Sequence, residues 1–219
     1  MGNIKGVIFD MDGTLLDSMN VWSDIDQEFW RRRNRPIPPG YLEAVTPMGF
    51  RLAAEYTIRE YGLSETVPAI MAEWQAMAVE QYSSSIRTKP YAKELLEDLQ
   101  KKGVLCAVAT ASHRELYEPA LRNNGIDRYF HSVTAVSEVG KEKGSPDIYL
   151  AAAEKMELSP AECMVVEDIY AGVRAAKEGG FYTVGIYESA AEYERDKIME
   201  TADLYIMDFS QLIGHAAFE

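Results

Sequence analysis

Residues 7–18 read VIFDMDGTLLDS. Three apolar residues, Val7, Ile8 and Phe9, run straight into Asp10, and Asp12 and Gly13 follow at once. A carboxylate at the end of a buried strand is costly unless something compensates its charge. Two of them, one residue apart, need something to offset their charge.

The chain has 219 residues, 47% of them hydrophobic and 26% charged. That composition suits a globular protein of one large or two smaller domains with a sizeable core. The formal net charge of -13 repels nucleic-acid backbone and anionic membrane, so neither is expected as a partner. The one dense basic run, Arg31-Arg32-Arg33-Asn34-Arg35, lies in a helical pattern and reads as a solvated helix end. Cys106 and Cys163 sit in apolar runs and read as buried thiols in a reducing compartment. No stretch reads as a membrane span or a signal peptide. A cytoplasmic monomer is expected.

Short apolar runs at 4–9, 104–109, 132–135, 163–167, 182–186 and 203–205 are rich in Val, Ile and aromatic residues. Most show little alternation, which suits strands buried on both faces. Amphipathic stretches at 91–102, 115–124, 147–156 and 171–179 separate them. Gly103 and Gly125 mark helix ends, and Ser159-Pro160 reads as a cap followed by a first-turn proline. The alternation predicts an α/β fold with a doubly wound, Rossmann-like parallel sheet.

Residues 17–87 break this rhythm. They show helical patterns at 21–33, 49–61 and 67–82, punctuated by Gly40, Gly62 and the 36–39 stretch, and Ser83-Ser84-Ser85 reads as a linker. The expected organisation is a core of residues 1–16 and 88–219 with a helical insert at 17–87.

Ligands of open parallel sheets bind beyond the carboxyl ends of the strands. Those ends carry Asp10 and Asp12, then Thr110, then Glu167-Asp168, and a loop before a helix carries Lys143. Taken singly, Thr110 is an ordinary strand end, Lys143 a surface lysine, and the acidic pairs helix caps or turn formers. Taken together they form an acidic cluster with one hydroxyl and one ammonium. A hard dication held by oxygen ligands would relieve its repulsion, and Mg2+ typically takes one or two carboxylates plus phosphate oxygens.

DMDGTL, the Thr110 strand end, Lys143 and Glu167-Asp168 resemble the four motifs of the haloacid dehalogenase superfamily, in the right order along the chain. The helical insert resembles its first class of α-helical cap. The resemblance implies a Mg2+-dependent phosphatase acting on a small phosphorylated metabolite. Asp10 would be the nucleophile that forms an aspartyl-phosphate, and Asp12 the acid and base. Lys143 would neutralise the phosphoryl group, with Thr110 and the amide of Ala111 binding its oxygens. Asp10, the backbone carbonyl of Asp12, Asp168 and Glu167 would hold the metal, Glu167 directly or through water. Gly13 would let the chain turn sharply off the strand. The dehalogenases that give the superfamily its name lack an acid at the position of Asp12, so Asp12 argues for phosphoryl transfer.

The runs DIYLAAAEK and EDIYAGVRAAKEGG look close to the β-phosphoglucomutase branch. That mutase has a histidine in its first cap helix where this chain has Trp22. Its Ala-Ser-Lys after the motif-two hydroxyl is here Ala111-Ser112-His113, and Gly144 replaces the proline after the motif-three lysine. Hydrolysis therefore ranks ahead of a phosphomutase, and a non-catalytic binding module on the same fold comes third. Ser112, His113, Trp22 and Arg51 are the candidates for substrate contact. His131 and His215 are expected to have no catalytic role, and Trp22, Trp30 and Trp74 have the helical spacing of core residues.

Overall fold

In the computed structural model, which describes residues 4–45, 48, 50–141 and 143–218, the opening apolar run forms β1 (Gly6–Phe9). Its four residues are buried because it pairs on both sides, with β2 (Leu105–Thr110) and with β4 (Cys163–Glu167). The strands β3 (Phe130–Ala135), β5 (Tyr182–Ile186) and β6 (Leu204–Ile206) extend the sheet outward. Among the described residues the sheet has six parallel strands in the order β3-β2-β1-β4-β5-β6. The chain winds from β1 to one side, then crosses back to place β4 on the other. The strand order therefore reverses between β1 and β4, where a doubly wound sheet opens its ligand crevice.

Helices cover the sheet. Ile8, Ala107, Ala109 and Val165 bury one face beneath Ile148, Tyr149 and Ala152 of α8 (Asp147–Lys155) and Ala175 and Ala176 of α9 (Tyr170–Glu178). Phe9, one residue on, turns to the opposite face, where its ring meets Phe130 and Phe209 edge-on at 6.3 and 5.9 Å. Helix α5 (Ala92–Lys101) buries Leu95, Leu96 and Leu99, and α6 (Arg114–Asn123) follows β2. Gly103 and Gly125 take left-handed φ values of 72° and 64° just past these two helices, as their positions predict. Ser159 caps a single 3-10 turn, Pro160–Glu162, in a capping box with Glu162.

The chain divides into two compact units, Met1–Met19 with Ile86–Glu219, and Asn20–Ser85. In the first, the two passages toward the second lie side by side. Leu16 bridges Thr88 in antiparallel fashion, Asp17 N donates to Arg87 O, and Lys89 N donates to Leu15 O.

The second unit consists of α1 (Val21–Arg32), α2 (Tyr41–Val45), α3 (Phe50–Tyr61) and α4 (Val67–Ser84). Trp30 and Trp74 are buried at its centre, with Trp30 edge-on to Tyr41 and Tyr61. Trp22 is half-exposed and packs its edge against Phe50 at 5.5 Å. Trp22, Asp26, Tyr41, Phe50 and Trp74 help to line a cavity of about 280 Å³ within this unit. Arg51 is exposed and pairs with Glu55 at 3.0 Å.

Several expectations need correction. Ser83 and Ser84 are not a linker but the end of α4, where their hydroxyls donate to the carbonyls of Val79 and Glu80 one turn back. Arg33 is not solvated. Its guanidinium lies 3.6 Å over the Phe29 ring and pairs with Glu65 and Glu73 at 2.8 and 2.7 Å, whereas Arg31 and Arg32 do pair with Glu28 on the helix surface. β3 begins at Phe130, two residues early, because a bulge leaves the exposed His131 between two paired residues and disguises the strand. The short helices α2, α7 (Val136–Val139) and α10 (Arg195–Thr201) are too brief to show a helical period. Gly49, expected to start the second insert helix, lies outside the described residues.

Candidate active site

β1 runs into an acid and β4 ends in one, and the sheet sets these ends side by side. Phe9 stands opposite Val166, and Asp10 N donates to Val166 O at 3.0 Å. Asp10 therefore leaves its strand level with Glu167 and Asp168. One oxygen from each of these three buried carboxylates lies within 4.8 Å of the others. Lys143 joins them from the loop before α8. Its ammonium donates to Glu167 Oε1 at 2.6 Å and also to Asp10 Oδ1.

Local contacts hold that loop in place. Asp147 at the start of α8 accepts from Lys141 and Ser145, and Arg174 donates to the Gly144 carbonyl. Gly13 turns the chain away from β1 at φ +84°. A β-carbon there would stand 2.9 Å from Cγ of Asp168, so the position is bare because the acid needs the space. Gly172 does the same for Glu167, whose Oε2 would lie 2.8 Å from an added β-carbon.

Three carboxylates with one ammonium leave excess negative charge in a buried site, and the acids respond. Burial pushes the Asp10 carboxyl well above the usual range, with Lys143 opposing and Glu167 and Asp168 reinforcing. Burial, then the Glu167 charge, lifts Asp168 to about 6 against the pull of Lys143 and Thr14. Burial works against the Lys143 ammonium, but Asp10 and Glu167 outweigh it and raise its pKa. Oxygen donors, like charges and a shared focus are the donor set a hard dication takes, so the residues fit such an ion.

Asp12 sits beside this cluster in a different environment. Its Oδ1 accepts from Ser18 Oγ and its Oδ2 from Ser112 Oγ, both at 2.7 Å. Thr110 is fully buried at the end of β2, and its Oγ1 accepts from Ser112 N at 3.0 Å. The β2 end thus reaches Asp12 through Ser112. Ala111 is exposed in the turn between them. His113 is exposed and begins α6 with its carbonyl, which accepts from Leu116 N and Tyr117 N, while its ring makes no cap bond. His131 and His215 bond locally, to Lys155 O and from Ala217 N. Trp22 and Arg51 belong to the helical unit and have the surroundings given above.

Three participants were not foreseen. Thr14 Oγ1 donates to Asp168 Oδ1 at 2.9 Å, Ser18 holds Asp12, and Tyr149 donates to Glu167 Oε1 at 2.6 Å. Thr14 and Ser18 lie inside the opening motif, so their hydroxyls were the available signal. Tyr149 follows Lys143 by six residues on a helix whose buried face was readable.

The model of haloacid dehalogenase-like hydrolases matches residues 4–180. The chain belongs to this family. Among relatives of this hydrolase, (DL)-glycerol-3-phosphatase 1 of Arabidopsis thaliana is 27% identical over 216 residues, covering 95% of this chain and 72% of the relative. Hexitol phosphatase A of Escherichia coli is 30% identical over 188 residues, covering 83% and 82%. This haloacid dehalogenase-like hydrolase is likewise a phosphatase. A β-phosphoglucomutase structure from Thermotoga maritima shares its fold with a TM-score of 0.83 at 21% identity, over 96% of this chain and 97% of the other. CbbY from Rhodobacter sphaeroides, solved with phosphate, shares it at 0.77 and 23%, over 98% of both chains.

Proposed function

We propose that this phosphatase hydrolyses a small phosphomonoester, a sugar phosphate or similar metabolite, through an aspartyl-phosphate on Asp10, with Mg2+ as cofactor. The observation that carries this is the contact of Asp10 with Lys143 at the switch point, beside the acids that end β4. Asp10, Glu167 and Asp168, with the Asp12 carbonyl, would hold the ion. Bound there, Mg2+ would neutralise charge on the phosphoryl oxygens and organise them for in-line attack.

The chain's own groups do the rest. One oxygen of Asp10 forms the new bond to phosphorus as the bond to the leaving oxygen breaks. Lys143 balances the charge that gathers on the phosphoryl group. Thr110 already accepts from Ser112 N, so its O–H is left to donate to a phosphoryl oxygen, helped by the Ala111 amide. Asp12 protonates the leaving oxygen, then takes a proton from the water that attacks the aspartyl-phosphate. Ser18 and Ser112 fix the place of the Asp12 side chain, one hydroxyl at each of its oxygens.

The helical unit would act as a cap that contacts the leaving group, through Trp22 and Arg51 among others, with Ser112 and His113 on the core side. Trp22 stands where a phosphomutase would keep a histidine, so water is the favoured acceptor. Two buried free cysteines suit a reducing cytoplasm. Among the described residues no helix is long and apolar enough to cross a membrane. A monomer contains the whole core constellation.

The test is 31P NMR of the protein with Mg2+ and a panel of sugar phosphates, nucleotides and phosphoglycolate, against an EDTA control. Metal-dependent growth of inorganic phosphate supports the proposal. Conversion of one sugar phosphate to its isomer with little free phosphate overturns it in favour of a phosphomutase.

A further inference from the structure

Tyr149 points from α8 into the acid cluster. It is fully buried, and its hydroxyl donates to Glu167 Oε1 at 2.6 Å. The same oxygen accepts from Lys143 at 2.6 Å, and Glu167 Oε2 accepts from Asp168 N at 3.2 Å. Gly172 closes the remaining side, because its missing β-carbon leaves the carboxylate its place. Glu167 is thus held by an ammonium, a backbone amide and one neutral hydroxyl.

The hydroxyl is not required to fill space. The Tyr149 ring packs edge-on against Phe181 at 6.3 Å within an apolar cluster that includes Ile8, Ala152 and Val165, and phenylalanine would fill the same volume. A buried phenol needs an acceptor, and this one faces an oxygen that already receives Lys143. Two donors on one oxygen fix the rotation of the whole carboxylate. They also fix where Lys143 stands, and Lys143 is the group that meets Asp10. The linked contacts run from the Tyr149 hydroxyl to Glu167 Oε1, to Lys143 Nζ, to Asp10 Oδ1.

We infer that Tyr149 is a positioning residue, whose hydroxyl orients Glu167 and, through it, both Lys143 and the dication site. This rests on the metal dependence proposed above. Groups that hydrogen-bond a metal-binding carboxylate typically contribute about 10–100-fold to metal affinity or activity. Without the hydroxyl, Glu167 is held at Oε1 by Lys143 alone, can turn toward it, and draws the ammonium away from Asp10.

The experiment is calorimetric titration of Mg2+ into the full chain, for wild type, Tyr149→Phe and Phe181→Leu, with melting in EDTA measured in parallel. Tyr149→Phe should weaken Mg2+ binding by about tenfold with little change in the EDTA melting temperature. Phe181→Leu perturbs the same packing without touching the hydroxyl. It should lower the melting temperature and leave the Mg2+ affinity alone. Unchanged Mg2+ affinity in Tyr149→Phe, with wild type binding normally, overturns the inference and leaves the proposed function standing. Equal weakening by both substitutions overturns it as well, since packing would then explain the effect. A wild type that binds no Mg2+ overturns both the inference and the proposed metal dependence.

Discussion

Gly13 and Asp168 occupy adjoining space: a β-carbon on the glycine would stand 2.9 Å from Cγ of the aspartate. The two residues lie far apart in sequence, yet the first is bare because of the second. Gly13→Ala therefore meets two penalties. The φ of +84° is strained for alanine at about 1–3 kcal/mol, and the methyl displaces Asp168. The expected outcome is a lower melting temperature together with weaker Mg2+ binding, measured by thermal denaturation and calorimetric titration. An alanine variant with wild-type Mg2+ affinity would separate the glycine from the acid.

Asp10→Asn should show no detectable turnover while melting, in EDTA, at or above the wild-type temperature. The substitution removes a nucleophile that attacks through oxygen, and also a charge that burial already disfavours. Lys143 keeps Glu167 as its partner. Phosphate release and a melting curve on one sample check both halves. An active variant would sink the aspartyl-phosphate mechanism.

Stability without metal should fall as pH rises through the range in which Asp168 ionises. Its carboxyl titrates at about 6, against an ordinary value of 3.8. The folded protein therefore holds this proton more tightly than the unfolded chain, and the contribution is complete below about pH 4 and lost by about pH 6 and above. A dication needs the ionised carboxylate. The rise in melting temperature caused by Mg2+ should thus grow across the same window, as thermal scans with Mg2+ and with EDTA would show. A Mg2+ effect independent of pH there would exclude Asp168 as its ligand.

Asp26 offers a parallel test in the helical unit. Burial lifts its carboxyl to about 6, although it accepts a hydrogen bond from the Tyr41 hydroxyl at 3.2 Å. Above that pH the charged form opposes folding. Asp26→Asn keeps the acceptor oxygen and removes the charge. It should stabilise the protein by on the order of 1 kcal/mol above pH ~7, allowing for its partial exposure, and by nothing below pH ~4. Denaturant unfolding at the two pH values checks this. Equal effects at both would trace to packing.

The fold was legible because its signals are local. A buried parallel strand must be apolar on both faces, and β1, β4 and β5 announce themselves in that way. Gly103 and Gly125 mark helix ends because a left-handed φ costs glycine least. Signals failed where burial was partial or the element short. The start of β3 hid behind a bulge and an exposed histidine. The serines at 83 and 84 looked like linker composition, but they bond to their own helix. Arg33 looked like surface charge because nothing nearby in sequence reveals Glu65, Glu73 or the Phe29 ring.

The sequence by itself determined which chemical groups stand at the strand ends, since Asp10, Thr110, Glu167 and Asp168 each follow or finish an apolar run. Only the tertiary structure decided how those groups meet. The placing of β4 beside β1 sets Asp10 level with Glu167 and Asp168. The loop that carries Lys143 and the helix that carries Tyr149 then bring two donors to a single oxygen of Glu167. Strand identity follows from the local free energy of burying apolar side chains. The convergence of charges depends on contacts between residues more than a hundred positions apart, such as Lys143 and Asp10, and no local pattern encodes those.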